Sequence, residues 1–386
     1  MQTLQFMPDA QSKEYFHSLT SLRGIAALWV AIGHISWTLP SANLVMVLPA
    51  IRQGYLAVDF FFILSGFVLA HAYKTYSMRD WSDYLSFCRA RIARIFPIHI
   101  FILLIFTFAY FIFRANGLLL PGEYGAVALG SQFLLLHTIP IFGKLSFFAW
   151  NYPAWTLVLE VWWFIAIVGG ILVFNKFTGE IGYCKIFKSR KFFLALIFSL
   201  ELVLVSILFF KKSPAFINDP NFYSSLVRSG LEFLAGFFMY RAFLIKKFEL
   251  KKYEVCVLYF LILLGIFAWS LNVAPYILVS YWLMLIPFVV ILALDKNTGF
   301  SRVLTRPGFL YLGNISYSLY LVHGPIERTI AAIYPNVAHT KLNIAFWYIL
   351  FVAGTIFCAS LAYKYVEKPV MFYFKNKRAR GNNRAT

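Results

Sequence analysis

Apolar residues run through this chain in long blocks, near 22–40, 54–73, 95–113, 155–174, 192–210, 229–245, 254–272, 276–294, 310–333 and 344–365. Each is about as long as a helix that crosses a ~30 Å hydrocarbon layer at ~1.5 Å per residue. A lipid-exposed backbone must satisfy its own hydrogen bonds, and a helix does so within one segment. The pattern predicts an all-α integral membrane protein, a bundle of about ten transmembrane helices. One further stretch, 118–141, is apolar but interrupted by Pro121, Gly122, Glu123, Gly125, Gly130, His137 and Pro140. Hydropathy alone leaves open whether it crosses.

Charge placement decides that point. The net charge of +19 raises nucleic acid as a partner until its location is considered. With ten spans and both termini cytoplasmic, the inner segments hold Lys13 and Arg23, five basic residues in each of 74–94, 175–191 and 241–252, three in 295–306 and seven from Lys364 onward. That is twenty-seven of the thirty-five lysines and arginines, as the positive-inside rule requires. If 118–141 also crossed, 175–191 and 241–252 would lie outside, so 118–141 is predicted to be re-entrant or interfacial. Basic loops beside an anionic leaflet need membrane lipid as partner, not nucleic acid. The expected organisation is a cytoplasmic N-terminal segment 1–21, a transmembrane domain 22–370 and a basic cytoplasmic tail 371–386. Residues 1–20 carry Asp9, Lys13, Glu14 and His17 without an apolar core, so no cleavable signal peptide is expected. Cys88, Cys184, Cys256 and Cys358 lack metal-ligand spacing, and neither a disulfide nor a metal site is expected.

Topology then gives the polar residues a depth. Arg23 and His34 are eleven residues apart, which on a helix is about three turns and ~16 Å with both side chains on one face. Arg23 falls at the cytoplasmic edge of the first span and His34 in the outer half. Asp59, in GYLAVDFFFILSGF, and Glu160, in NYPAWTLVLEVWWF, each enter from outside and reach about the depth of His34. Each would cost about 2.5–3.5 kcal/mol facing lipid near mid-membrane, so the three are expected to share a polar chamber. At the inner edge Arg23 joins Arg89, Arg91 and Arg94 of FCRARIARIFPIH. Planar guanidiniums suit phosphate oxygens, although arginines at the inner end of a span are also what topology requires.

The Arg-x10-His of the first span, GYLAVDFFFILSGF, RARIARIFPIH, WTLVLE and the late LGNISYSLYLVHGPI occur in that order, and together they resemble the acyltransferase family 3 membrane proteins, the O-acyltransferases of bacterial surface polysaccharides. The resemblance covers almost the whole chain and looks like a stand-alone member, without a fused hydrolase-like domain. It implies transfer of an acyl group, usually acetyl, from cytosolic acyl-CoA to a saccharide hydroxyl, in a multi-pass protein of the bacterial inner membrane. It implies that Arg23 and His34 are the essential pair and that Arg91 and Arg94 belong to a second motif. Acyl-CoA is then a donor substrate, and no permanently bound cofactor is expected.

The chemistry of the residues fits. A neutral imidazole can take the acceptor's hydroxyl proton, with Asp59 or Glu160 as a carboxylate on its other nitrogen. His34 can equally act as a transient acyl carrier, and the sequence does not separate the two. The ~16 Å between Arg23 and His34 suits a donor with phosphates at one end and a thioester at the other. Tyr320 and His323, with Ser316 and Ser318, are weaker candidates for the acceptor path, as is Trp155 for stacking on a sugar. His99 is a candidate for holding the donor's phosphate end, while Glu201 and Glu232 read as members of buried pairs. A transporter of an anionic metabolite or lipid-linked sugar is the rival reading, weakened because no matching pair of broken helices stands out. A structural membrane subunit accounts for the hydropathy but not for charges at matched depth.

Overall fold

The computed structural model describes residues 16–39, 49–73, 80–139, 149–178, 189–211, 222–268, 275–334 and 341–374. The segment 1–15, the tail from 375 onward and Cys184 lie outside the described residues. Besides the four-residue turn of helix Pro49–Arg52, the described residues form thirteen α-helices: α1 (His17–Thr38), α2 (Ala57–Tyr73), α3 (Trp81–Ala115), α4 (Ala126–Phe133), α5 (Trp155–Thr178), α6 (Arg190–Lys211) and α7 (Phe222–Ile245), then α8 (Lys252–Ala268), α9 (Pro275–Leu294), α10 (Gly299–Leu304), α11 (Pro307–Asn314), α12 (Ser316–Ile333) and α13 (Lys341–Ala362). Extended pairing among the described residues is confined to an isolated bridge between Glu123 and Ala149. The protein is an all-α integral membrane protein; nine of the ten apolar blocks each hold one long helix, while 310–333 divides at Ile315 between α11 and α12.

Among the described residues, six helices are long and apolar enough to cross a membrane by length and composition: α1, α2 with the turn before it, α3, α5, α9 and α13. Two others, α7 and α12, are less apolar because they carry Arg228, Glu232, Glu327 and Arg328. The bundle hides these charges, so they lower hydropathy without facing lipid. At 35 residues α3 is about 52 Å long, well beyond the ~30 Å hydrocarbon layer. Its first turns therefore project past the layer, and they carry the arginines. Asp80 caps this end, its side chain accepting from the Asp83 amide at 3.0 Å, as an N-cap should.

Cross-helix bonds fix the relative direction of the helices. On α1 and α12 the bonded pairs are Arg23 with Ser316, His34 with His323 and Thr38 with Glu327, separated by 293, 289 and 289 positions. A near-constant offset means that the two helices run parallel. On α2 and α7, Asp59 meets Arg228 and His71 meets Tyr240, both 169 positions apart, so these helices are parallel too. Successive crossings alternate in direction, so parallel helices need an odd number of crossings between them. Between α2 and α7, α3 and α5 are two of the six apolar spans and α6, at 22 residues, has the length for a third, which makes an odd number without help from 118–141. That segment instead holds the eight-residue α4, about 12 Å long and too short to span.

The segment is tied down by side-chain hydrogen bonds. The Gln132 side chain donates to the carbonyls of Ala149 (2.7 Å) and Asn151 (3.3 Å) and accepts from the Asn151 amide (3.2 Å). Asn151 Nδ2 then donates to the Leu321 carbonyl of α12 at 3.2 Å.

Helix α1 lies at the centre, packed on α2, α9, α11, α12 and α13, with Ala27, Val30, Ala31 and Ile35 fully buried. Glycines set the closest approaches. A Cβ at Gly24 would lie 2.5 Å from the backbone nitrogen of Gly313, and one at Gly66 would overlap the Phe233 carbonyl. Small residues at such crossings let backbones touch, which is how helices associate where lipid offers no hydrophobic driving force.

Candidate active site

The close fit of α1 on α11 and α12 places Arg23. Its Nε donates to Ser316 Oγ at 2.8 Å and its Nη2 to the Gly313 carbonyl at 3.3 Å. From there a cavity of about 410 Å³ opens between α1, α2, α3, α5 and α12, lined by Arg23, Arg91 and Arg94 with Ser65, Glu160, Asn314, Ser316, Tyr317, Tyr320 and Glu367. Glu160 accepts from Ser65 Oγ at 3.0 Å and Glu367 from Ser318 Oγ at 2.6 Å. Three guanidiniums against two carboxylates leave the lining cationic. Arg89, expected with this group, is exposed and does not line the cavity. The reason is helical geometry: two residues turn about 200°, so Arg89 faces away while Arg91 and Arg94 share a side.

His34 lies farther along α1 and does not line the cavity. Its Nδ1 is 3.0 Å from Nε2 of His323, and the two rings are nearly parallel, 8° apart, with centroids 5.1 Å apart. Trp37 and Tyr152 meet the His34 ring edge-on, each at 5.2 Å. Tyr320 joins the two regions. Its ring lines the cavity and stands 5.5 Å from His323, and its hydroxyl accepts from Thr156 Oγ1 at 3.1 Å. Trp155 packs against Phe62 with ring centroids 6.5 Å apart and, unlike its neighbour Thr156, does not line the cavity.

The expected chamber of His34, Asp59 and Glu160 divides into three places. Glu160 belongs to the arginine cavity. Asp59 is fully buried against Arg228, 2.6 Å from its Nε and 2.5 Å from its Nη2. Glu232 lies 3.8 Å from the same guanidinium, and the buried Glu201 carboxyl faces Asp59. A buried carboxylate takes the nearest cation that can desolvate with it, and Arg228 provides one within the bundle. His99 is also spoken for, its Nε2 lying 2.8 Å from the Gln132 carbonyl.

Sequence reasoning passed over Thr38, Tyr152, Glu327 and Arg328. Thr38 Oγ1 donates to Glu327, and the Tyr152 hydroxyl bonds to the same carboxylate. The Arg328 guanidinium lies over the rings of Tyr152 (5.0 Å) and Tyr124 (5.4 Å) and donates to the Tyr124 hydroxyl at 2.8 Å. Burial pushes the Tyr124 phenol up against the pull of Arg328, so it stays protonated and accepts. The available signal was spacing: His34 and Thr38, like His323 and Glu327, are four residues apart and share one helix face.

The family described as an acyltransferase domain matches residues 16–363. Among curated proteins, the chain is 22% identical over 377 residues to the O-acetyltransferase OatA of Staphylococcus aureus, covering 93% of this chain and 58% of that protein. Over 164 residues it is 35% identical to protein 2 in the picA locus of Rhizobium radiobacter, 38% of this chain and 78% of that one. It is also 30% identical over 172 residues to the putative acetyltransferase ORF330 of Acidianus two-tailed virus, covering 44% and 46% of the two chains. No solved structure matches.

Proposed function

Because the chain belongs to acyltransferase family 3, we propose that it is a membrane O-acyltransferase that moves an acyl group from cytosolic acyl-CoA to a hydroxyl of a cell-surface saccharide, working in the bacterial inner membrane with both termini cytoplasmic. Acetyl is the acyl group favoured by the similarity to OatA. O-antigen, capsule and exopolysaccharide are acceptors of the right chemistry.

One observation carries the reading: helix α1 bears a guanidinium in a cationic cavity at one end and a histidine paired with a second histidine toward the other. In the proposed mechanism Arg23, Arg91 and Arg94 hold the donor's phosphates, since guanidinium forks bind phosphate oxygens in pairs. The pantetheine arm runs along the cavity toward Tyr320, which separates it from the histidines. His34 then takes the acceptor's hydroxyl proton as oxygen attacks the thioester carbonyl, or first carries the acyl group on its own nitrogen. In either route the departing thiolate recovers the proton, so protons balance. Asp59 is assigned to holding α2 against α7, and Glu160, with Ser65, to shaping the donor cavity beneath Tyr320.

The test uses membranes containing the full-length protein and radiolabelled acetyl-CoA, with label measured in the glycan fraction. His34→Ala is expected to lower transfer by about 100-fold or more. Arg94→Ala is expected to raise KM for acetyl-CoA about tenfold, the ~1.4 kcal/mol scale of a lost charge-assisted contact, while Arg89→Ala stays within about twofold because exposed charges contribute little. Equal labelling by wild type and His34→Ala ends this reading. Mass spectrometry of surface glycans with and without the gene then identifies the acylated sugar.

A further inference from the structure

We infer that His323 is the positioning residue that fixes which nitrogen of His34 is free to react. The inference rests on the acyltransferase reading for its purpose, but its geometry stands independently of that reading.

Nδ1 of His34 and Nε2 of His323 are 3.0 Å apart, so one hydrogen lies between them: one ring donates and the other accepts. The other nitrogen of His323 decides which. His323 is fully buried, its Nδ1 makes no hydrogen bond of good geometry, and the acceptors its ring meets besides His34 are the carbonyls of Leu319 and Tyr320, four and three residues back in its own helix. Carbonyl oxygens only accept. A lone pair turned toward them would be repelled, whereas an N–H is attracted even short of a full hydrogen bond, so the proton belongs on Nδ1. A neutral imidazole has a single N–H, and Nε2 of His323 is therefore bare. It accepts, and His34 donates through Nδ1. A cationic His323 is disfavoured because no carboxylate among the described residues pairs with it; Glu327, one turn on, is occupied by Thr38 and Tyr152.

The consequence falls on Nε2 of His34, which keeps its lone pair and points away from His323. That is the form both proposed roles require, whether base or acyl carrier. An isolated neutral imidazole side chain prefers the opposite tautomer, with its proton on Nε2, so the pairing reverses the intrinsic preference of the ring. Once His34 is protonated, its Nδ1–H still meets a neutral acceptor. His323 thus orients the base as a carboxylate does in acid-base triads, without a buried negative charge.

The experiment is solid-state NMR of the full-length protein in lipid bilayers with nitrogen-15 in its seven histidines, the His34 signals being assigned by their loss in His34→Gln. The expected wild-type spectrum shows His34 protonated on Nδ1. His323→Leu, which offers no acceptor, should return the His34 proton to Nε2, while His323→Gln, whose carboxamide oxygen can accept, should keep it on Nδ1. Release of CoA from acetyl-CoA should fall about 100-fold in the Leu variant and within about tenfold in the Gln variant, in keeping with the large penalty of a wrong catalytic tautomer. Thermal unfolding of both variants serves as the folding control. A wild-type His34 protonated on Nε2, or an unchanged tautomer in His323→Leu, overturns the inference. If the tautomers behave as expected but His34→Ala still transfers acyl groups at the wild-type rate, the positioning stands and the acyltransferase site must be sought elsewhere.

Discussion

Asp59 shows how far one coordinate carries a single residue. Its depth placed it level with His34, and depth says nothing of which side of a helix a carboxylate faces. Its partner Arg228 comes 169 positions later, where the sequence shows only a charge at the edge of an apolar block. Arg23, Arg91, Arg94 and His34 were legible because local motifs carry them, whereas Arg89 was grouped with them because a motif by itself does not say which side of α3 a guanidinium faces. The His34–His323 bond was not legible, since it joins residues 289 positions apart. The energetics of the Asp59 pair are testable. Arg228→Ala strands buried carboxyl groups and should cost about 3–5 kcal/mol, whereas Asp59→Leu combined with Arg228→Met should recover most of that loss, because a packed apolar pair removes the desolvation penalty as well. Unfolding curves in detergent check both, and an unchanged Tm for Arg228→Ala would contradict a structural role for the pair.

At the scale of elements, the ten apolar blocks all appear as helices, because long uncharged runs leave the backbone no other stable form in lipid. The parallel pairing of α2 with α7 was hidden, since helices that cross at glycine announce themselves only as Gly66 and Gly236. Gly66 faces the Phe233 carbonyl and Gly236 the Ile63 carbonyl, so the two crossings lock reciprocally. Gly66→Ala should therefore destabilise by about 1–3 kcal/mol, the range for overpacking. Gly170 in α5 has open space around its Cβ direction, and there alanine should be neutral or gain up to about 1 kcal/mol from helix propensity. Thermal scans of the two variants should move in opposite directions or differ by several degrees. Matching shifts would show that the α2–α7 crossing is looser than drawn.

For the whole molecule, the direction of the helices and the placement of charge agree on one point, that 118–141 does not cross. The first uses hydrogen-bond offsets and the second the membrane's preference for basic cytoplasmic loops. Single cysteines in a background lacking the four natural ones test it. A cysteine at Asn116, exposed at the far end of α3, should react with an impermeant maleimide in intact cells. One at Asn297, exposed between α9 and α10, should react only after the membrane is opened. The reverse pattern would invert the proposed orientation.

The parallel helices α1 and α12 have one more consequence. They are bolted together at three levels, by Arg23 with Ser316, His34 with His323 and Thr38 with Glu327. Two rods fastened at both ends and the middle cannot slide past each other, since a slip of one residue, about 1.5 Å with a ~100° turn, would break every fastening at once. Piston motion is therefore closed to this pair. Whatever opens to admit substrate must swing around a rigid spine, and the ring of Tyr320, which grows from that spine and is tied to α5 by the hydroxyl bond from Thr156, is the small part placed to turn.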